Sequence, residues 1–206
     1  PTCYGPNSNI FGLVLDSAAS HGIIECEPCY NQTAVTIRDN VTSIGFSSFR
    51  NCQDITSVQI PDSVTGIGST AFYGCSSLGS VEIPDNVTNI GSSAFNGCSS
   101  LGSVEISDTV TTIETAAFKG CNKLTSVTLG TQVARIGPQA FRQCSSLESV
   151  LIPNGVNVSG ISDDAFPSCI GYGLPVNGEP THGNISCLPC SNTDVIEIPS
   201  NVTGIE

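Results

Sequence analysis

The sequence predicts a β-rich solenoid of stacked 23-residue coils, because three residue types recur with that period. The cysteine row is Cys29, Cys52, Cys75, Cys98, Cys121 and Cys144, the phenylalanine row is Phe49, Phe72, Phe95, Phe118 and Phe141, and the isoleucine row is Ile44, Ile67, Ile90, Ile113 and Ile136. A single coil cannot bury its own apolar face, so coils stack and cover one another. We therefore expect the phenylalanines and the cysteines from Cys52 to Cys144 to form buried ladders. A short insertion near positions 157–158 lengthens the last interval, and Ile161, Phe166 and Cys169 continue the three rows beyond it.

The first half of each coil reads as a strand. In the unit that begins at Cys75, the pattern Leu78-x-x-Val81-x-Ile83 places alternate residues on the inner side of a strand. Pro84 ends that strand, because proline has no N–H group to donate to a β-ladder. The unit thus predicts one short strand per coil, with neighbouring strands about 4.8 Å apart.

The second half of each coil reads as another short extended segment followed by a helical turn. Val87 and Ile90 begin the extended segment. Ile90, Ala94, Phe95 and Cys98 then fall at i, i+4, i+5 and i+8, which is one face of a short α-helix or 3₁₀ turn. The predicted fold class is therefore a solenoid that is formally α/β, rich in strand, with short helical or 3₁₀ turns.

The repeated signature L-x-S-V-x-I-P-x-x-V-T-x-I-G-x-x-A-F-x-x-C resembles the BspA-type, or Treponema pallidum-type, leucine-rich repeat family. The resemblance covers about residues 30–169 and resumes at 191–206. It implies a right-handed leucine-rich repeat solenoid in a cell-surface or secreted protein. Such proteins are described as adhesins, matrix binders or structural surface proteins. The family carries no catalytic motif that could be transferred to this chain.

A longer repeat divides the chain. The segment from His21 to Cys29 aligns with the segment from His182 to Cys190, and the stretch 40–44 aligns with 201–205 at the same offset. We therefore expect a junction or cap at 1–29, a block of about six coils at 30–169, a second junction at 170–190 and the first coil of a further block at 191–206. On this interpretation the chain is one part of a longer tandem array.

Cysteines flank both junctions, and we expect two disulfides there, Cys3–Cys26 and Cys169–Cys187. Each would close a loop of about 20 residues and, by reducing the entropy of the unfolded chain, would stabilise the fold by roughly 3 kcal/mol. The spacing H-x₄-C-x₂-C after His21 and His182 could instead supply zinc ligands. The disulfide interpretation is favoured, so no metal or other cofactor is expected. The ladder cysteines could be cross-linked or redox-active, but buried thiols are favoured.

The composition indicates an extracellular protein. Eleven cysteines favour an oxidising compartment, and the net charge of −12 argues against nucleic acid and anionic membranes as partners. No apolar run reaches the roughly 18 residues that span a bilayer, so no membrane insertion is expected. Six N-x-S/T sequons predict N-linked glycans. The sequons begin at Asn31, Asn40, Asn86, Asn157, Asn184 and Asn201.

Acidic residues recur where the strands end. The row consists of Asp39, Asp62, Asp85 and Asp108, with Glu82 and Glu105 at outward strand positions. Stacked carboxylates repel one another, and either hydration of an acidic stripe or weak calcium binding could relieve that repulsion. The hydrated stripe is favoured. The remaining outward strand positions are mostly small and polar, whereas binding hot spots favour Trp, Tyr and Arg.

No sequence motif supports catalysis, and we expect the protein not to be an enzyme. The first functional hypothesis is a glycosylated structural protein, with blocks chained end to end, within or between chains, into an extracellular filament or surface appendage. In that hypothesis the chain's main partner is itself, through head-to-tail contacts at open sheet edges. The alternative is a cell-surface adhesin or binding module that recognises matrix or host proteins.

Overall fold

A computed structural model describes residues 33–153, 156, 160–162, 164–166 and the backbone of 183–186. Within these ranges the chain is a β-solenoid, which confirms the predicted fold class. The junction cysteines Cys3, Cys26, Cys169 and Cys187 lie outside the described residues. The same holds for His21 and His182, for the segments 1–29 and 191–206, and for most of 170–190.

The first half of each coil supplies one strand to a parallel arrangement along the solenoid. These strands are β1 (Ala34–Thr36), β2 (Ser57–Gln59), β4 (Ser80–Val81), β6 (Ser103–Glu105), β8 (Ser126–Thr128) and β10 (Ser149–Ile152). They form two sheets, in the orders β1-β2-β4 and β6-β8-β10. The register is one coil at every pair, as in Val35↔Val58 and Val104↔Val127. The middle residue of each three-residue strand is buried, and the residues beside it point outward.

The second half of each coil supplies a two-residue strand to a separate parallel sheet. This sheet contains β3 (Gly66–Ile67), β5 (Asn89–Ile90), β7 (Thr112–Ile113) and β9 (Arg135–Ile136), in that order. Isolated bridges extend the isoleucine row at both ends, from Ile44 to Ile67 and from Ile136 to Ile161. Because the last bridge joins residues on either side of the insertion, the longer coil returns to register at this position.

The helical turn expected after the second strand is not an α-helix, since no α-helix occurs in the described part of the chain. Backbone N–H groups alternate there between two kinds of partner. Those of Ala94 and Cys98 bond within the coil, to the carbonyls three residues earlier, whereas those of Ser93, Phe95 and Gly97 bond to carbonyls of the next coil at 2.7–2.9 Å. Because every second amide is used between coils, the continuous i→i−4 ladder of an α-helix cannot form.

Two positions in each of these turns have a left-handed backbone. The first has φ between 55° and 58° and never holds glycine: Ser47, Thr70, Ser93, Ala116 and Gln139. The second has φ between 60° and 78° and holds Asn51, Gly74, Gly97, Gly120 and Gln143. A residue with a Cβ pays roughly 1–2 kcal/mol in this conformation. At the first position the strained residue donates its N–H to the next coil, which offsets that cost.

The core is a set of columns that run along the solenoid. The phenylalanine column, from Phe49 to Phe141, is fully buried, and consecutive rings are nearly parallel with centroids 5.0–5.2 Å apart. Phe166 continues the stack at 5.1 Å from Phe141. Cysteine, isoleucine, valine and leucine columns pack against the rings. Such stacking of apolar side chains is the main source of stability in a fold whose coils touch only their neighbours.

A later strand, in the segment that the sequence predicts to be the second junction, lies beside the last of the first-half strands. Residues Gly183–Ser186 form β11, which pairs antiparallel with β10, with Val150 opposite Ile185. All other strand pairs described here are parallel. The edge of β10 that was expected to be open is therefore occupied by a later segment of the same chain.

Ala116 and Ala117 provide a matched test of the left-handed turn positions. Ala116 has φ of 56°, and both alanines are buried. We expect Ala116→Gly to change the free energy of unfolding by no more than about 0.5 kcal/mol, because glycine relieves the left-handed strain while it increases the entropy of the unfolded chain. We expect Ala117→Gly to lower it by roughly 1–2 kcal/mol, through the lost methyl burial and the same entropy.

Urea titration of the two variants beside the parent chain measures this difference. Circular dichroism at 25 °C follows the loss of the sheets, and the parent supplies the reference midpoint. Equal destabilisation by the two substitutions would contradict the assignment of strain to the Ala116 position.

Candidate functional surface

The outward side chains of the first-half strands form one continuous exposed surface, which we call the strand face. Its serines and threonines are small, and Gln59, Glu82 and Glu105 are its longer polar residues. Leu151, 42% exposed, is its large apolar side chain. An interface anchored by aromatic or arginine side chains would need a different face, since the strand face offers neither.

A shallow groove lies where the strand face meets the ends of β2 and β4. Asp39, Asp62 and Glu82 line it together with Gln59 and Ile60, and Pro61 and Pro84 complete its walls. Its volume is about 280 Å³. Pockets that hold small ligands usually measure about 300–1,000 Å³ and are mostly apolar. This groove is smaller, acidic and open, so it does not resemble a small-molecule site.

The acidic row takes part in contacts between coils. The Ser107 hydroxyl donates to Asp85 Oδ1 at 3.1 Å, and the Thr131 amide donates to Asp108 Oδ1 at 2.8 Å. Within the described ranges, no group of three or more His, Cys, Asp or Glu side chains is placed to hold a metal ion.

Two of the six sequons have described side chains, and both are exposed. Asn40 and Asn86 occupy equivalent turns, directly after Asp39 and Asp85. The Asn86 side-chain amide donates to the Asp62 carbonyl at 2.7 Å. Asn184 falls in β11, where only the backbone is described. Asn31, Asn157 and Asn201 lie outside the described residues.

The cysteine column is an interior feature. Cys75, Cys98, Cys121 and Cys144 are free, buried thiols. Each donates to the carbonyl of the phenylalanine 26 residues earlier, at 3.1–3.3 Å. A hydrogen bond with the Cys75 side chain, followed by burial, raises the pKa of Cys98 well above its ordinary value. A hydrogen bond with Cys144, followed by burial, does the same to the pKa of Cys121.

Cys52 departs from this arrangement. It is buried in the same column, but its sulfur belongs to a disulfide bond. The expectation of a buried thiol is therefore wrong at this position. The thiols of the other four cysteines donate to phenylalanine carbonyls, and these four side chains pack in the core.

Basic residues cluster on the side of the coil where the strands begin, and the sequence reasoning missed this. Lys119 and Arg142 occupy one row, because their carbonyls accept from Gly97 and Gly120 of the preceding coils, each at 2.8 Å. Lys123 lies four residues after Lys119, and Arg50 begins the same row, with its guanidinium 5.0 Å from the Tyr73 ring centroid. Sorting Lys and Arg by their position in the 23-residue period would have found the cluster.

The buried polar side chains of the described residues are all hydrogen-bonded. Every buried side-chain nitrogen or oxygen atom among them has a hydrogen-bond partner. In the same part of the chain, no helix is long and apolar enough to cross a membrane. The strand face, its acidic end and the basic cluster are among the exposed features of these coils, and Phe46, 68% exposed, is another.

The sequence matches the family described as the BspA type leucine rich repeat region, in 6 copies that extend over residues 25–148, 65–174 and 111–206. Together these matches cover far more than half of the chain. No curated relative matches the sequence.

Solved bacterial leucine-rich repeat proteins share the fold. The T. pallidum leucine-rich repeat protein is 26% identical with a TM-score of 0.58, over 69% of this chain and 62% of that one. A leucine-rich repeat protein from Bacteroides ovatus is 35% identical with a TM-score of 0.57, over 64% and 35%. One from Eubacterium ventriosum is 26% identical with a TM-score of 0.51, over 74% and 47%. The chain thus spans less than two thirds of the length of each of these proteins.

The raised pKa values of Cys98 and Cys121 predict a loss of stability in alkaline solution. The unfolded thiols release their protons above about pH 8.5, while the folded ones keep theirs. The unfolded chain then binds fewer protons, so stability falls as the pH rises, by up to roughly 1.4 kcal/mol per pH unit for each thiol. This contribution is complete below about pH 8.5 and is lost on the way to the raised pKa.

Urea titrations at several pH values between about 7.5 and 9.5 measure this slope. The double variant Cys98→Ala, Cys121→Ala loses some stability at every pH, so the slope is the quantity compared. We expect a shallower slope for the double variant than for the parent chain. A slope that is the same in both proteins would rule out these two thiols as its source.

Proposed function

Because the chain belongs to the BspA-type leucine-rich repeat family, we propose that it is a non-catalytic structural segment of a glycosylated extracellular or cell-surface protein. In this proposal, solenoid blocks follow one another along the polypeptide and build a filament or surface appendage. Continuous columns of buried side chains run through the described coils and connect each coil to the next.

The pairing of β11 with β10 is the observation that carries this proposal. β11 belongs to the second junction, whose sequence motif also occurs at 21–29. It pairs with β10 and so covers the edge of the sheet formed by β6, β8 and β10. An unpaired edge invites uncontrolled pairing with other chains. A junction strand that covers this edge supports a defined joint between one block and the next.

This pairing also changes how the blocks would be joined. The sequence suggested head-to-tail contact through open sheet edges. The β10 edge already has a partner from its own chain, so it is not available for that contact. Chaining within one polypeptide fits the arrangement better than end-to-end association of separate chains.

The groove beside Glu82 is small, open and acidic, and the polar side chains of the strand face are serines, threonines, a glutamine and glutamates. The four free thiols are buried and hydrogen-bonded. A binding module of the adhesin type remains the second candidate, and the exposed Leu151 on the strand face is the observation in its favour.

Electron microscopy of the native extracellular material tests the structural proposal. We expect extended fibres in which each block of six coils contributes about 30 Å, since neighbouring coils are about 5 Å apart. Isolated short rods that persist at high concentration would contradict it. Saturable binding of those rods to matrix proteins would then favour the adhesin.

Glycosylation at Asn86 has a matched control one coil away. The Oγ1 atoms of Thr88 and Thr65 donate to the threonine carbonyls of the preceding coils at 3.2 and 3.1 Å, but only Thr88 completes a sequon. We expect Thr88→Val to remove one glycan, while Thr65→Val removes only the equivalent hydrogen bond. Intact-mass measurement before and after enzymatic deglycosylation gives the glycan mass of the secreted parent and of each variant. An equal glycan mass in the parent and in Thr88→Val would refute occupancy of Asn86.

A further inference from the structure

Charged residues of predominantly opposite sign lie on opposite sides of the sheets that the first-half strands form. The six first-half strands are parallel, so all six begin on one side and end on the other. The basic flank, on the side where strands begin, contains Arg50, Lys119, Lys123 and Arg142, and the acids Asp54 and Glu148 lie among them. The acidic flank, on the side where strands end, contains one basic residue, Arg38, and six acids: Asp39, Asp62, Glu82, Asp85, Glu105 and Asp108.

The two flanks are far enough apart to act separately. About six residues of extended chain lie between them, which is roughly 20 Å at 3.3 Å per residue. The Debye length at physiological ionic strength is about 8 Å. A neighbouring molecule at contact distance therefore interacts electrostatically with one flank, and the chain's net charge of −12 is largely screened.

The side chains of the basic flank are held in place by their neighbours. The Arg50 guanidinium stacks over Tyr73, and Lys119 Nζ donates to Gln139 Oε1 at 3.4 Å. Ordered cations lose less side-chain entropy when they bind a partner. Arg142 and Lys123 are exposed beside them.

The acids of the acidic flank recur in four successive coils, whereas Lys119, Lys123 and Arg142 of the basic flank fall in two successive coils. Each coil adds about 5 Å along the solenoid, as the phenylalanine ring spacing shows. The acids follow β1, β2, β4 and β6, whereas Lys119, Lys123 and Arg142 precede β8 and β10. The centres of the two charged groups are thus offset by two to three coils, or roughly 10–15 Å along the axis.

From these positions we propose that copies of this solenoid associate side by side. The basic flank of one copy contacts the acidic flank of the next, with a stagger of two to three coils. The contact is heterologous, since different surfaces of the two copies meet. Such contacts do not close on themselves, and they generate open arrays. In the filament of the proposed function, this association would bundle chained blocks side by side. The contact itself does not depend on that function, which supplies only its biological setting.

Charge reversal on each flank tests the proposal in the complete chain. We expect Lys119→Glu with Arg142→Glu to abolish self-association, because both flanks of that variant are acidic. Asp62→Lys with Glu82→Lys should abolish it as well, because both flanks of that variant carry basic residues. A mixture of the two variants restores complementary contacts and should associate again. Sedimentation velocity measures the association constant, which we expect to fall at least about tenfold in the parent when salt is raised.

Arg142→Glu and Arg135→Glu form a matched pair, since both reverse one exposed arginine near β9. Arg135 pairs with Glu114 at 3.5 Å on the second sheet, away from both flanks. We expect only Arg142→Glu to weaken association, by about tenfold. Equal weakening by both substitutions, no association in the mixture, or association that is insensitive to salt would overturn the proposal.

The same variants separate this contact from two other outcomes. A parent chain that stays monomeric and binds a sulfated polysaccharide through Lys119 and Arg142 would overturn it, because the basic flank would then serve an anionic polymer. Single unbundled fibres of native material would also overturn it. Those fibres would leave the proposed function intact, because chaining along the polypeptide does not depend on the flanks.

Discussion

Backbone hydrogen bonds between neighbouring coils fix the position of every other group in this solenoid. In the turn segment every second amide donates to the next coil, as Phe95 does to Ala117 at 2.7 Å. These bonds hold equivalent residues about 5 Å apart, which is the distance at which the phenylalanine rings stack. The left-handed backbone at Ala116 and its equivalents follows from the same constraint, because the amide there must point along the axis rather than into its own coil.

A fixed register turns each position of the repeat into a column. Apolar columns bury one another, and the four free cysteines join them as small neutral side chains whose thiols donate to phenylalanine carbonyls. Exposed positions become stripes, so the aspartates that follow β1, β2, β4 and β6 produce an acidic flank. The surface chemistry of the molecule therefore depends on composition within columns more than on any single residue, and it suits extended contacts better than a localised site.

The ends of a block need a different solution, because stacking by itself leaves an exposed sheet edge. Here the antiparallel strand β11 covers β10. Phe166, which follows the insertion near residue 157, still stacks on Phe141. The columns thus tolerate a longer coil as long as the buried positions return to register.

Sequence periodicity by itself determined the 23-residue coil, the two extended segments and the identity of the buried columns, because each of these follows from which residues must leave water. It did not determine the turn, since the spacing of Ile90, Ala94, Phe95 and Cys98 suits a helix as well as the observed alternating turns. Only the tertiary structure decided that amides are shared between coils, that Cys52 is disulfide-bonded and that β11 pairs with β10. The shared amides and the pairing of β11 with β10 join residues that are far apart in sequence, and local spacing carries no information about which groups meet across that distance.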